Sequence, residues 1–108
     1  MVFDSMAIAI DWLDEYRAKS LALLDFYAED AVIMCGCGTE KALSGRTALQ
    51  SYWLTYFDEN LSIDLIGLED RGGDVVAVTY RTPHRVVRTI LVFDARTGLI
   101  TLQRCGPW

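Results

Sequence analysis

Apolar residues in the first half of the chain recur at helical spacing. Asp4 or Ser5 can cap a first helix, whose apolar residues lie three or four positions apart: Met6, Ile10, Leu13 and Tyr16. Ser20 is a second capping residue and predicts a short helix that ends at Asp30, before a strand over residues 31–35. A third helix starts near Gly45, with the apolar stripe of a buried face: Leu49, Tyr52, Trp53, Tyr56 and Phe57.

The second half changes to the composition of strands, rich in Val, Ile, Thr and aromatic residues. Four runs are predicted as strands, at residues 61–69, 75–81, 85–93 and 99–105. Short turns join them, which indicates an antiparallel meander. Helices followed by strands predict an α+β fold with three N-terminal helices packed in the concave face of a curved, mostly antiparallel sheet. Its length of 108 residues predicts one domain over residues 1–108.

Charge, hydropathy and cysteine content argue against several classes of protein. The formal net charge of −5 and scattered basic residues argue against nucleic-acid binding. No apolar run reaches the ~20 residues that span a bilayer, so we expect no membrane association. The 3 cysteines imply no disulfide framework, and an acidic N-terminal segment does not resemble a secretory signal. We therefore expect a cytoplasmic protein.

Several segments together resemble one superfamily. The run FYAEDAV at residues 26–32 is similar to the segment that closes the second helix in nuclear transport factor 2-like, or SnoaL-like, proteins. Gly45-Arg46, Tyr52-Trp53 and the run from Phe93-Asp94 to Gly98-Leu99-Ile100 are similar to its later motifs. The resemblance covers almost the whole chain. It implies a conical fold with a pocket at the open end, and many members dimerise through the outer sheet face.

Strand alternation assigns side chains to the two faces of the sheet. Pairing Phe93 with Leu99 places Val87, Thr89 and Leu91 on the same face as Thr101, Gln103 and Cys105. The resemblance implies that this face lines the cup, the space between the helices and the concave side of the sheet. The other face is apolar enough to predict a homodimer interface. Its residues are Val86, Arg88, Ile90, Val92, Ile100, Leu102 and Arg104. Arg88 and Arg104 would be neighbours of like charge that need a carboxylate such as Asp64 or Glu69.

The resemblance also shows which residues of this chain stand at the catalytic positions of the family's steroid isomerases. The position of the isomerase general base is held by Cys35, that of its protonated acid donor by Thr89, and that of a helical aromatic residue by Trp53. A cysteine is a poor base at neutral pH unless its pKa is lowered. Steroid-type isomerisation by the family mechanism is therefore disfavoured.

Other chemistries lack a complete residue set. An epoxide hydrolase of this kind would need a paired Asp, Arg and Asp in the cup. Strand parity predicts that Arg81 and Arg85 point inward, but no inward Asp accompanies them on the strands. Cyclases of the SnoaL kind often end in His-x-Asp on the last strand, where Gln103 and Cys105 stand here. The Cys35-x-Cys37 pair with Cys105 and His84 has weak zinc spacing, so we expect no metal and no cofactor.

The leading interpretation is a pocket that binds a small hydrophobic molecule. We expect its lining to comprise Tyr16, Cys35, Trp53, His84, Thr89, Gln103 and Cys105, with Tyr16 and His84 near the mouth. One alternative is an isomerase, cyclase or dehydratase with a nonstandard base, for which Cys35 is the candidate. A second alternative is a protein-interaction module that uses the apolar outer sheet face.

Overall fold

Two α-helices and a 3₁₀ helix pack on a curved sheet in this computed structural model. It describes residues 4–35, 41–59, 62–83 and 85–106, excepting the side chains of residues 35, 41, 59 and 106. Helix α1, Ser5–Arg17, begins at the predicted cap: the Asp4 carboxylate accepts from the backbone N–H of Met6 at 3.1 Å and of Ala7 at 3.3 Å. This cap satisfies two N–H groups that the first helical turn leaves without partners.

The second helix is shorter than the sequence indicates. Ser20 caps a 3₁₀ helix at Leu21–Phe26, and Tyr27 already has extended backbone angles. The prediction that this helix runs to Asp30 is wrong, because the residues from Tyr27 onward join the sheet. Leu21, Leu24 and Tyr27 lie three positions apart, and this helical spacing also fits the three-residue turn of a 3₁₀ helix.

Helix α2, Arg46–Glu59, confirms the apolar stripe of the third predicted helix. Leu49, Tyr52, Trp53 and Phe57 are buried, and Tyr56 is half-buried. Both α-helices lie on the concave side of the sheet, where α1 contacts the strands and α2 contacts the 3₁₀ helix. The predicted α+β fold is confirmed.

The described residues form six strands in one mixed sheet. The strands are β1 Tyr27–Cys35, β2 Lys41–Ser44, β3 Asp64–Asp70, β4 Val75–Arg81, β5 Val86–Phe93 and β6 Ile100–Gly106. Their order is β2-β1-β6-β5-β4-β3. The β3 to β6 meander is antiparallel as predicted, whereas β1 pairs with β6 in parallel. The short strand β2 was not predicted.

The register between β5 and β6 confirms one face and corrects the other. Thr89 pairs with Cys105 and Leu91 with Gln103, so the predicted inner residues lie together. Beyond Val92 the register shifts, and Phe93 pairs with Ile100 instead of Leu99. The shift is a β-bulge, which reverses the parity of the residues beyond it. Ile100 is therefore 0% exposed in the core, and its assignment to the outer face is wrong.

The outer face otherwise carries the predicted residues, but its charges are arranged differently. Ile90, not Arg88, lies opposite Arg104, so the two arginines are not a direct pair. Glu69 forms an ion pair with Arg71 at 3.6 Å. Within the described residues, no ion pair joins Arg88 or Arg104 to a carboxylate. The apolar centre of this face is half-buried: Ile90, Val92 and Leu102.

None of the helices within the described ranges is long and apolar enough to cross a bilayer.

Candidate functional site

Aromatic rings fill the cup between the helices and the sheet. Trp12 and Tyr16 from α1 meet Trp53 from α2 edge to face, with ring centroids 5.8 Å and 4.9 Å apart. Tyr52 stacks on Trp53 at 5.2 Å, with 15° between the ring planes. Tyr80 on β4 adds an edge contact to Tyr16 at 5.6 Å. Aromatic residues bury large areas, and edge-to-face pairs add about 0.5–1.5 kcal/mol each beyond that burial.

A hydrogen-bonded chain runs from the helices into the sheet beneath these rings. The indole N–H of Trp12 donates to the hydroxyl of Tyr27 at 3.0 Å. The Tyr27 hydroxyl donates to the side-chain oxygen of Gln103, and the Gln103 amide donates to the Cys105 sulfur at 3.0 Å. Gln103 thus links the helical layer to Cys105, and its buried amide has a partner at each end.

Two further branches converge on the same sulfur. The Thr89 hydroxyl donates to Cys105 Sγ, and the Tyr52 hydroxyl hydrogen-bonds to it, each at 3.6 Å. The Tyr80 hydroxyl lies 3.3 Å from Thr89 Oγ1. Because the Thr89 proton points to sulfur, Tyr80 is the donor in that bond. We call these seven buried side chains the polar cluster: Trp12, Tyr27, Tyr52, Tyr80, Thr89, Gln103 and Cys105.

The three tyrosines of the polar cluster are protonated at neutral pH. Burial raises the pKa of Tyr27, Tyr52 and Tyr80 well above the ordinary value of 10.0, because desolvation disfavours the phenolate. Among the described residues, no Asp, Glu, Lys or Arg side chain is buried; besides the tyrosines and tryptophans, the buried polar side chains are Thr82, Thr89 and Gln103. The described part of the cup therefore offers neutral hydrogen-bond donors and no carboxylate base.

Trp53 carries the unpaired polar group of this region. Its side chain is 1% exposed, and its indole N–H has no acceptor among the described residues. The indole N–H is directed toward the Tyr27 hydroxyl: burial raises the pKa of that hydroxyl, and the Trp53 N–H acts in the opposite direction as a donor, but no acceptor meets the N–H with hydrogen-bond geometry. An unpaired buried donor costs about 1–3 kcal/mol, so this N–H is a position where an oxygen acceptor would bind favourably.

The structure brings five of the predicted site residues into the cup: Tyr16, Trp53, Thr89, Gln103 and Cys105. Tyr16 is 1% exposed, so it lies in the packed interior and not at a mouth. The backbone of Cys35 pairs with that of Cys105, whereas the Cys35 side chain and all of His84 lie outside the described residues.

Sequence reasoning missed four members of the polar cluster: Trp12, Tyr27, Tyr52 and Tyr80. Tyr27 was assigned to a helix end, and that error hid its inward position on β1. Tyr80 alternates with Val78 on the buried face of β4, a signal that strand parity could have supplied. By the same parity Arg81 points away from the cup, where it is exposed, so its predicted inward direction is wrong.

No group of three or more His, Cys, Asp or Glu side chains that could hold a metal occurs among the residues described. Cys37, a member of the weak zinc candidate, lies outside them.

Comparisons with known proteins inform the fold. No family model matches the chain, and no curated protein matches it. Solved structures do match. One is a protein assigned as a polyketide cyclase from Sinorhizobium meliloti, with a TM-score of 0.76 and 18% identity over 96% of this chain and 100% of that chain. Another is a steroid delta-isomerase from Pseudomonas aeruginosa, with a TM-score of 0.73 and 16% identity over 96% and 80%.

A third match is a de novo designed protein with a curved β-sheet, with a TM-score of 0.78 and 11% identity over 97% of this chain and 86% of that chain. A design without natural ancestry shares the architecture as well as enzymes do, so the likeness carries fold and not activity. The resemblance seen in the sequence is confirmed at the level of the fold: the chain folds like the SnoaL-like and cystatin-like proteins among the matching structures.

Proposed function

We propose that this protein binds a small, uncharged, mostly apolar molecule in the cup. Its oxygen acceptor would receive a hydrogen bond from the Trp53 indole. The observation that carries this proposal is the unpaired, buried N–H of Trp53. Pockets for small molecules are mostly apolar and aromatic, with a few placed polar groups, and the cup has this composition.

The absence of charge in the described part of the cup supports a neutral ligand. An ionised ligand would lose its hydration without meeting an opposite charge there, which is costly. A ketone, ether or ester oxygen needs a neutral donor, and the Trp53 N–H is one. Because the described side chains pack against one another, we expect the ligand to move aromatic rings as it enters.

Catalysis is the second candidate, and the buried tyrosines are the observation in its favour. Tyr27, Tyr52 and Tyr80 stay protonated at neutral pH, so they could stabilise a developing oxyanion. An isomerase, cyclase or dehydratase also needs a base. The described residues of the cup provide none, and the remaining candidate is Cys35. Titration of the native protein with a thiol reagent tests this idea, and an inert Cys35 in a Cys37→Ser, Cys105→Ser background would eliminate it.

The binding proposal is tested with acetophenone, which carries one carbonyl, against ethylbenzene, which has a similar shape and no acceptor. Protein labelled with ¹⁵N-tryptophan reports each indole N–H separately, and Trp→Phe variants assign the resonances. We expect acetophenone to shift the Trp53 indole proton downfield. The Trp12 indole is the internal control, because it already donates to Tyr27.

The outcomes are distinct. A Trp53 shift with acetophenone that ethylbenzene does not reproduce supports the proposal. Equal responses to the two probes would show apolar binding without the hydrogen bond and would remove the stated role of Trp53. No response up to the solubility limit of acetophenone would reject an aryl ketone as a ligand of the cup.

A further inference from the structure

A second concavity lies outside the polar cluster, where the start of β1 meets the start of α2. Its volume is about 310 Å³, and its lining residues come from the 3₁₀ helix, β1 and α2: Leu24, Tyr27, Ala28, Glu29, Arg46 and Leu49. Tyr27 belongs to both sites, because its hydroxyl is bonded to Trp12 and Gln103 in the cup. We call this concavity the side pocket.

The floor of the side pocket is apolar. Leu24 and Leu49 are each 3% exposed, and Tyr27 is 7% exposed. A volume near 300 Å³ is at the lower end of the range for small-molecule sites. The floor therefore suits a compact apolar or aromatic group.

The rim of the side pocket has a surplus of negative charge. Arg46 forms an ion pair with Asp25 at 3.1 Å, so its charge is already matched. Glu29 is exposed and has no ion-pair partner among the residues that the structure describes. The lining of the side pocket thus contributes the Glu29 carboxylate as a negative charge that no described cation pairs with, and Tyr27 lines the same pocket.

From this geometry we propose that the side pocket binds small apolar amines in their ammonium form. The apolar group would rest on Leu24, Leu49 and the Tyr27 ring, and the ammonium would pair with the Glu29 carboxylate. A cation held near a tyrosine ring also gains a cation–π attraction, worth about 0.5–1 kcal/mol at exposed sites. The proposal does not depend on a ligand in the cup, although Tyr27 contributes to both sites.

The test uses three probes with one ring and one chain length: 2-phenylethylamine, 2-phenylethanol and phenylacetate. Each is titrated at neutral pH and low salt, and the backbone amide resonances of Ala28 and Leu49 report on binding. We expect the amine to bind most tightly. Glu29→Gln should weaken the amine about fivefold, the upper range for one exposed ion pair, and leave the alcohol unchanged.

Asp30→Asn is the matched control, because it removes the same charge from the next residue, which does not line the side pocket. It should leave the amine affinity within about twofold. Both positions are exposed, so neither variant should unfold the protein, and circular dichroism checks this.

Three results would overturn the proposal. Tighter binding of phenylacetate would show that Arg46 selects the ligand. Equal affinity for amine and alcohol, or equal effects of the two substitutions, would remove the role of Glu29. If none of the three probes shifts the amide resonances of Ala28 and Leu49, the side pocket does not bind a ligand of this size.

Discussion

Replacing Tyr27 by phenylalanine removes one oxygen atom from the centre of the polar cluster. That oxygen accepts from Trp12 and its proton is donated to Gln103, so the substitution leaves two buried groups without partners. Each unpaired buried group costs about 1–3 kcal/mol. Partial relaxation reduces the sum, and we expect a loss of about 2–4 kcal/mol in the free energy of unfolding. A domain of this size has roughly 5–15 kcal/mol in total, so the change is large.

The assay is urea denaturation, analysed by linear extrapolation with the m-value compared between variants. Tyr80→Phe is the matched comparator, since it removes the same atom from a buried tyrosine with a hydrogen bond to Thr89. Thr89 keeps its contact with Cys105, so this variant should lose only about 1 kcal/mol.

A double-mutant cycle separates the hydrogen bond from other effects. Tyr27→Phe combined with Gln103→Met removes both partners of one bond, and we expect the combined loss to be smaller than the sum by about 1–2 kcal/mol. Strict additivity, or a loss below about 0.5 kcal/mol for Tyr27→Phe alone, would refute the view that Tyr27 organises the polar cluster.

Three further predictions concern pH, backbone strain and assembly. The buried tyrosines of the polar cluster have folded-state pKa values above the ordinary 10.0, so the free energy of unfolding should be unaffected by them below about pH 10 and fall above it; alkaline denaturation followed by tyrosinate absorbance checks this. Gly45→Ala should lower the free energy of unfolding by about 1 kcal/mol in urea denaturation, because its φ of +93° strains any residue with a Cβ. A Cβ at Gly45 or at Gly67 would meet nothing within 4 Å, so a smaller loss for Gly67→Ala, which has no positive φ, would isolate the backbone strain. The homodimer through the outer sheet face stays a prediction: Ile90→Glu should convert a dimer to a monomer in sedimentation velocity, and a monomeric wild-type protein would contradict it.

Much of the fold could be predicted because periodicity reports burial directly. The apolar stripe of α2 follows from residue spacing, and the bounds of β4 follow from a run of strand-forming residues between turn segments. Strand parity also placed Thr89, Gln103 and Cys105 on one buried face, and this is the part of the candidate site that the sequence predicts best.

The missed features depend on interactions between distant segments. The bulge that turns Ile100 into the core has no local signal, since it arises from the pairing of β5 with β6. Strand β2, Lys41–Ser44, is too short to show alternation. Tyr27 points inward because β1 pairs with β6. The helical spacing of the residues before it favours a helix at this position, so a strand is not predicted there. The contacts of the polar cluster could not be predicted before these pairings were known.

The parallel pairing of β1 with β6 has a consequence for the order of folding. Neither strand is at an edge of the sheet, yet Tyr27 of β1 pairs with Ile100 of β6 across most of the described chain. Closing such a long loop is entropically slow, whereas the hairpins of the meander close locally. We therefore expect β3 to β6 to form early, with β1 docking afterwards. The Tyr27–Gln103 hydrogen bond would then join the two halves late, and Tyr27→Phe should accelerate unfolding more than it slows folding.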